Sequence, residues 1–130
     1  MFKILVATDG SKHSQKVIKE AIEVAQAMQA EVTVLTVEDW TAVDRDSGAK
    51  SKEALDRAVA VFEEKGFPVT PLLRKGAKSP ADVIIEVAKE FEVNLIILGS
   101  RGLRGFQDML LGGVSNRVVQ LADRNVMVIK

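Results

Sequence analysis

The stretch Leu95–Ser115, LIILGSRGLRGFQDMLLGGVS, decides the fold. Leu95-Ile96-Ile97-Leu98 is an apolar, β-prone run that stops at Gly99. Glycines recur at 102, 105, 112 and 113 before an apolar periodicity resumes at Val114. A short run of this kind fits a strand covered on both faces. A buried strand, a glycine-punctuated loop and a helix start together form an anion cradle. Glycine lets backbone N–H groups approach phosphate oxygens, and the helix N-terminus adds partial positive charge. The same glycines also suit a plain surface turn, but five within fifteen residues favour the cradle.

The rest of the chain repeats the strand-then-helix alternation. Phe2–Ala7 is apolar and stops at Thr8-Asp9-Gly10-Ser11, which predicts a buried strand, a turn and a helix capped by Ser11 or Asp9. Val17, Ile18, Ala21, Ile22, Val24, Ala25 and Met28 recur at helical spacing, and Glu31–Val37 is a second strand. Glu38–Lys50 is polar and aperiodic, a long loop in which Trp40 serves either as a lid or as packing against a helix. A helix from Ser51 to about Gly66 follows, with Leu55, Ala58, Val59 and Phe62 on one face. Phe67–Arg74 is β-prone but holds Pro68 and Pro71, which places it at a sheet edge. Ser79-Pro80-Ala81-Asp82 is a helix start with cap, proline and acid in order. After the opening stretch come a helix from about Gly113 to Ala122 and a last strand, Asn125–Ile129. Five strands alternating with four helices, most strands without polar alternation, argue one doubly wound α/β domain over residues 1–130 with a five-stranded parallel sheet and helices on both faces.

Composition narrows the function. Hydrophobic residues make up 47% of 130 residues, enough for a filled core without disulfides or metal. Lys+Arg and Asp+Glu balance at 18 each, so charge gives no argument for nucleic acid or an acidic membrane. There is no cysteine, which excludes thiol ligands and nucleophiles. No signal-peptide pattern and no run near the roughly 20 apolar residues of a membrane span is found, so a soluble cytoplasmic protein is expected.

In an open parallel sheet, ligands bind beyond the strand C-termini where the winding reverses. If the first and fourth strands are neighbours, that crevice lies between Thr8-Asp9 and Gly99. Asp9 there either accepts hydrogen bonds from a ribose or base or caps the helix. Gly99, Gly102 and Gly105 give G-x-x-G-x-x-G, which is neither the dinucleotide fingerprint nor a P-loop. Arg101 and Arg104 are candidate cationic contacts, Arg104 more readily a solvated surface residue. The single histidine, His13, reads as an exposed residue of the first helical turn, close enough to the cleft for a minor phosphate contact as the alternative.

Gly99-Ser100-Arg101-Gly102, nine residues, then Gly112-Gly113 resembles the G-x2-G-x9-G-[ST] motif of the universal stress protein family. Ile4–Ser11 resembles that family's opening strand and Asp-Gly-Ser turn, Gly112–Val119 its Gly-Ser-Val segment, and Val126–Ile129 its valine-rich last strand. The resemblance runs through the whole chain in order, the Glu38–Lys50 loop excepted. It implies strand order 3-2-1-4-5 and an adenine-nucleotide (ATP or AMP) site. By the same resemblance Ala7, Thr8 and Asp9 face ribose and adenine, and Val37 contacts adenine through its backbone. Leu98, Gly99, Ser100, Arg101 and Gly102 border ribose and phosphates; Gly112, Gly113, Val114 and Ser115 hold the phosphates. Any Mg²⁺ is held through those phosphates, and the family commonly dimerises through the last strand, here Asn125–Ile129. Gly113 stands where the nucleotide-binding branch carries Ser or Thr, a lost hydroxyl worth about 0.5–1.5 kcal/mol that Ser115 is placed to replace. Arg124-Asn125 stands where the family often has proline.

No catalytic constellation accompanies these residues. Asp44 and Asp46 lie in the loop without further ligands at metal spacing, and strand 3 ends without a phosphorylatable aspartate. The leading expectation is a stress-response regulator that binds ATP or AMP and signals through a dimer or partner surface. The alternatives are a slow ATP hydrolase of the same fold and an interaction protein with a vestigial cleft.

Overall fold

The computed structural model describes residues 1–39, 47–76, 78–100 and 113–130. Strands β1 (Lys3–Ala7), β2 (Glu31–Asp39), β3 (Thr70–Gly76), β4 (Leu95–Gly99) and β5 (Asn125–Ile129) alternate with helices α1 (Lys12–Met28), α2 (Ser47–Glu64), α3 (Pro80–Glu90) and α4 (Gly113–Leu121). The strands form one sheet in the order β3-β2-β1-β4-β5, every pairing parallel. The winding reverses between β1 and β4, the strand order that the family resemblance implies. Successive strand residues point to opposite faces. Ile4 and Val6 enter a core with Val17, Ala21, Leu55 and Phe62 of α1 and α2, whereas Leu5 joins Ile84, Val87 and Val118 of α3 and α4. Ile4, Leu5 and Val6 are each fully buried, and complete burial of such a side chain contributes about 1.5–3 kcal/mol. Among the described residues no helix is long and apolar enough to cross a membrane.

Local chemistry sets the element ends. Gly66, at φ +72°, follows α2. Its N–H donates to the Glu63 carbonyl and that of Phe67 to the Phe62 carbonyl, so the helix closes in a paired C-terminal motif. The Phe62 and Phe67 rings meet at 6.1 Å across that turn. Phe67 is thereby committed to the helix end, which explains why β3 begins at Thr70 and not at Phe67. Pro71 sits in β3 without cost, because β3 pairs only with β2 and is an edge strand. At α3 the expected cap is present: Ser79 Oγ accepts the Asp82 N–H at 3.3 Å. The Asp82 carboxylate in turn accepts from Arg117 of α4 at 3.1 Å. That hydrogen bond, with a further one involving Ser79, holds its carboxyl below the usual carboxylate range.

Two expectations shift. Strand β2 runs on through Asp39 and α2 begins at Ser47, so the polar segment between them is shorter than Glu38–Lys50. Trp40, Asp44 and Asp46 lie outside the described residues. Ser11 occupies the N-cap position of α1, but its side chain makes no capping bond. Asp9 does not cap the first turn either: its Oδ1 accepts the Ser11 N–H at 2.9 Å, a contact within the turn ahead of the helix.

Arg124, the departure noted ahead of the last strand, ties that strand to α3. Its Nη1 donates to the Ala88 carbonyl at 2.7 Å and the Val93 carbonyl at 3.1 Å, and its Nε to Asp123 Oδ1 at 2.9 Å. A cation on the last carbonyls of a helix also meets the negative end of its dipole. Arg124→Ala is expected to destabilise the fold by about 1.5 kcal/mol, the lower range for hydrogen bonds from a charged donor. Urea titration measures this, and a change below about 0.5 kcal/mol would show the contact to be incidental.

Candidate functional site

The crevice opens at the C-terminal ends of β1, β2 and β4, with a volume of about 560 Å³ that includes space open to solvent. Its floor is made by Ala7, Thr8 and Asp9 after β1, Leu35 and Val37 on β2, and Leu98 and Gly99 on β4. Ser11, His13, Ser14 and Val17 of the β1–α1 segment wall one side, and Pro80, Ile84 and Val114 the other. Asp9 and Gly99, ninety residues apart in sequence, therefore share one cleft.

The β1–α1 turn is fixed by its neighbours. Gly10 has φ +78°, and a Cβ there would lie 2.5 Å from the Ala54 Cβ of α2, so only glycine lets the turn lie this close to the helix. The turn commits Asp9 Oδ1 to the Ser11 N–H. Asp9 Oδ2 has no hydrogen-bond partner among the described residues, which leaves it as an acceptor on the cleft.

Strand β2 outruns β1, and this exposes backbone. Thr8 N–H donates to the Leu35 carbonyl at 2.9 Å, the last bond between the two strands. Odd-numbered residues of β2 thus turn their peptide groups toward β1. Val37, two residues on, presents an N–H and a C=O in the same direction beyond the end of β1, while its Cα pairs with Arg74 of β3 on the other side. One donor and one acceptor, side by side, are held at the cleft by a rigid strand.

The opposite end of the cleft is governed by His13, where the structure corrects the sequence reading. The imidazole is half-buried, not exposed on the helix surface. Its Nε2 lies 2.9 Å from the Ile129 carbonyl at the end of β5, and that carbonyl also accepts the Ser100 N–H at 2.8 Å. A Cβ on Gly99 would fall 2.7 Å from His13 Cδ2 and 3.1 Å from Val17 Cγ2. The first glycine of the loop thus accommodates a side chain of this chain. The signal was present in the sequence, since His13 stands one turn before Val17 and continues the buried stripe of α1 past the end of the sheet.

The remaining expected site residues separate into three groups. Ala7, Thr8, Asp9, Val37, Leu98, Gly99 and Val114 line the cleft. Ser100 and Ser115 do not: they are 7% and 1% exposed, and Ser115 Oγ donates to the Ser100 carbonyl at 3.4 Å. Ser115 is therefore directed at the β4 loop and not at the place a hydroxyl on residue 113 would occupy. Gly113 opens α4, and a Cβ on it would meet nothing within 4 Å. Arg101, Gly102, Arg104, Gly105 and Gly112 lie outside the described residues. Among those described, no group of three acidic or histidine side chains is placed to hold a metal ion.

Comparison with known proteins agrees with this architecture. The Universal stress protein family model matches residues 1–130. Universal stress protein YxiE of Bacillus subtilis is 33% identical, over 98% of this chain and 98% of its own. A universal stress protein from Archaeoglobus fulgidus superposes with a TM-score of 0.85 at 26% identity, covering 100% of this chain and 99% of its own. A universal stress protein from the same organism, solved in complex with dAMP, superposes with a TM-score of 0.82 at 25% identity, over 100% and 98% of the two chains. With the family model spanning its full length and the strand order and cleft in place, the chain belongs to the universal stress protein family.

Proposed function

We propose that this protein is an adenine-nucleotide-binding regulator, with AMP or ATP as its ligand. The observation that carries the reading is the paired N–H and C=O of Val37 at one end of a cleft whose other end holds Gly99 and the N-terminus of α4. Adenine offers an acceptor at N1 and a donor at N6, the complement of that pair. Asp9 Oδ2 stands between as an acceptor for ribose hydroxyls, and the N-terminal N–H groups of α4 suit phosphate oxygens. The dAMP complex of the A. fulgidus relative supports the same ligand class. Mg²⁺ reaching this site would be held through the phosphates. Asp9 and His13 are too few protein ligands for a resident ion.

A second copy of the chain is the partner this reading assigns to β5. That strand is the sheet edge, and beside it Val119 and Leu121 of α4 are 44% and 52% exposed. Pairing through Asn125–Ile129 would cover both and place the dimer seam one strand from the cleft.

Thermal unfolding with AMP or ATP tests the ligand. Ligand at a hundred times its Kd stabilises the native state by about 2.7 kcal/mol, read as a rise in Tm. Asp9→Ala removes the ribose acceptor and the Ser11 contact together. It is expected to weaken AMP binding by about tenfold or more, the range for a hydrogen bond to a charged group. An unchanged Tm at saturating concentrations of both nucleotides would overturn the reading.

A further inference from the structure

We propose that Asp82 and Arg117 are positioning residues for the cleft: their side-on ion pair sets the roll of α4, and with it the direction in which that helix offers its first N–H groups. The proposal rests on the adenine-nucleotide reading and names the contact that keeps its phosphate end in order. Helix α4 is the lightly held wall of the cleft. Of its nine residues two, Ser115 and Val118, are buried, whereas α3 buries five of eleven. Two polar ties hold its first turns from either flank. Ser115 Oγ donates to the Ser100 carbonyl at the exit of β4 at 3.4 Å. Arg117 donates from Nε to Asp82 Oδ1 at 3.1 Å and from Nη2 to Oδ2 at 3.4 Å.

The two ties oppose each other. Ser115 and Arg117 stand about 160 degrees apart round the helix, with Val114 and Val118 between them. Val118 is packed with Ile84 and Val87 of α3, and Val114 lines the cleft. Apolar burial has no preferred direction, so that stripe alone leaves the helix free to roll. A hydroxyl on one flank and a guanidinium on the other stop it. The anchor on the α3 side is itself fixed. Ser79 Oγ accepts the Asp82 main-chain N–H at 3.3 Å, which sets Asp82 in the first turn of α3. Pro80 and Ile84 on either side of it in sequence belong to the cleft wall. Lys78, the other cation acting on Asp82, is engaged by Glu86 at 2.7 Å and does not replace Arg117. The Arg117 and Asp82 side chains are 51% and 32% exposed. A pair this open contributes little to stability. Two parallel bonds between planar groups nevertheless fix orientation as well as distance. The pair therefore acts on the geometry of binding more than on the fold.

Calorimetry with AMP and with adenosine, beside a urea titration of each protein, tests this. Arg117→Ala and Asp82→Asn are each expected to weaken AMP about three- to fivefold, the loss of competent population that an exposed pair can account for. Adenosine lacks the phosphate that meets α4 and should stay within about twofold of its wild-type affinity. The double variant should bind AMP no worse than either single one, because each change removes the same contact. Asp82→Glu, which keeps a carboxylate, should bind AMP more tightly than Asp82→Asn. Every variant keeps the Ser79 cap, since that bond uses a main-chain N–H. The sign of Asp82→Asn separates positioning from charge. It removes a negative charge, so a plain field effect on the phosphate would tighten AMP, whereas a loosened helix weakens it. AMP binding by Asp82→Asn as tight as wild type or tighter overturns the proposal and leaves the nucleotide reading standing. Equal losses for AMP and adenosine also overturn it, since a merely structural contact would act on both. If wild type binds neither, both readings fall. Should Arg117→Ala not fold, Asp82→Asn against Asp82→Glu still decides.

Discussion

Replacing Gly99 by alanine is expected to destabilise the protein by about 2–3 kcal/mol, and most of that cost should vanish when His13 is removed first. The backbone at residue 99 does not require glycine, since its φ is not in the left-handed region. The obstacle is space: the new methyl would lie 2.7 Å from His13 Cδ2, 3.1 Å from Nε2 and 3.1 Å from Val17 Cγ2. The ring must therefore swing away and give up the Ile129 carbonyl. Overpacking of this kind costs about 1–3 kcal/mol, and a lost hydrogen bond about 1 kcal/mol more. In a His13→Ala background only the Val17 contact remains, and the cost of Gly99→Ala should fall to about 1 kcal/mol. A coupling near 1.5 kcal/mol lies within the range for side chains in direct contact. Urea titrations of the four proteins, with m values unchanged, supply the cycle. Equal costs in the two backgrounds would mean that Gly99 is not kept open for the imidazole.

That cycle also marks the boundary between what the sequence disclosed and what it withheld. The strands were legible because Ile4–Val6 and Ile96–Leu98 are apolar without alternation, which only a sheet covered on both faces explains. The edge position of β3 was legible from Pro71, and the start of α3 from Ser79-Pro80, because these residues act on their own backbone. Asp9, Val37 and Gly99 were assigned to one cleft from topology and family resemblance, and they line it. The place of His13 near the cleft was legible and its burial could have been read from Val17 one turn on, but its bond to Ile129, 116 residues away, could not, because no local pattern carries that pairing. Phe67 was misassigned to a strand for a related reason: β propensity is weak beside a ring contact that completes the end of α2. Ser115 was carried to the ligand by the family resemblance; its hydroxyl donates to the Ser100 carbonyl, two helical steps or about 200 degrees on from Gly113.

The largest discrimination expected of this cleft is between adenine and guanine, and it arises from backbone alone. Val37 presents N–H and C=O toward the cleft because β2 continues to Asp39, and Val37 lies two residues past the last bond that β1 makes, Thr8 N–H to the Leu35 carbonyl. Adenine meets that pair with an acceptor at N1 and a donor at N6. Guanine meets it with a donor at N1 and an acceptor at O6, so both contacts become repulsive and two backbone groups are left unpaired. Each unsatisfied group costs about 1–3 kcal/mol, which places GMP at least about 30-fold weaker than AMP. Inosine monophosphate separates this account from simple exclusion of guanine's extra amine. It shares the N1 donor and O6 acceptor of guanine but lacks N2, so it should bind as poorly as GMP. The 5′-monophosphate of unsubstituted purine riboside keeps the N1 acceptor and loses only the N6 donor, so it should fall between, about tenfold below AMP. Competition calorimetry against AMP ranks the four. Inosine monophosphate binding within a few-fold of AMP would show that side-chain sterics, and not the Val37 peptide groups, choose the base. Because the recognition elements are main-chain atoms on a strand hydrogen-bonded to β3, no single side-chain truncation on β2 should reverse the preference. Shortening β2 by placing proline at Val37, which removes the N–H itself, should abolish it.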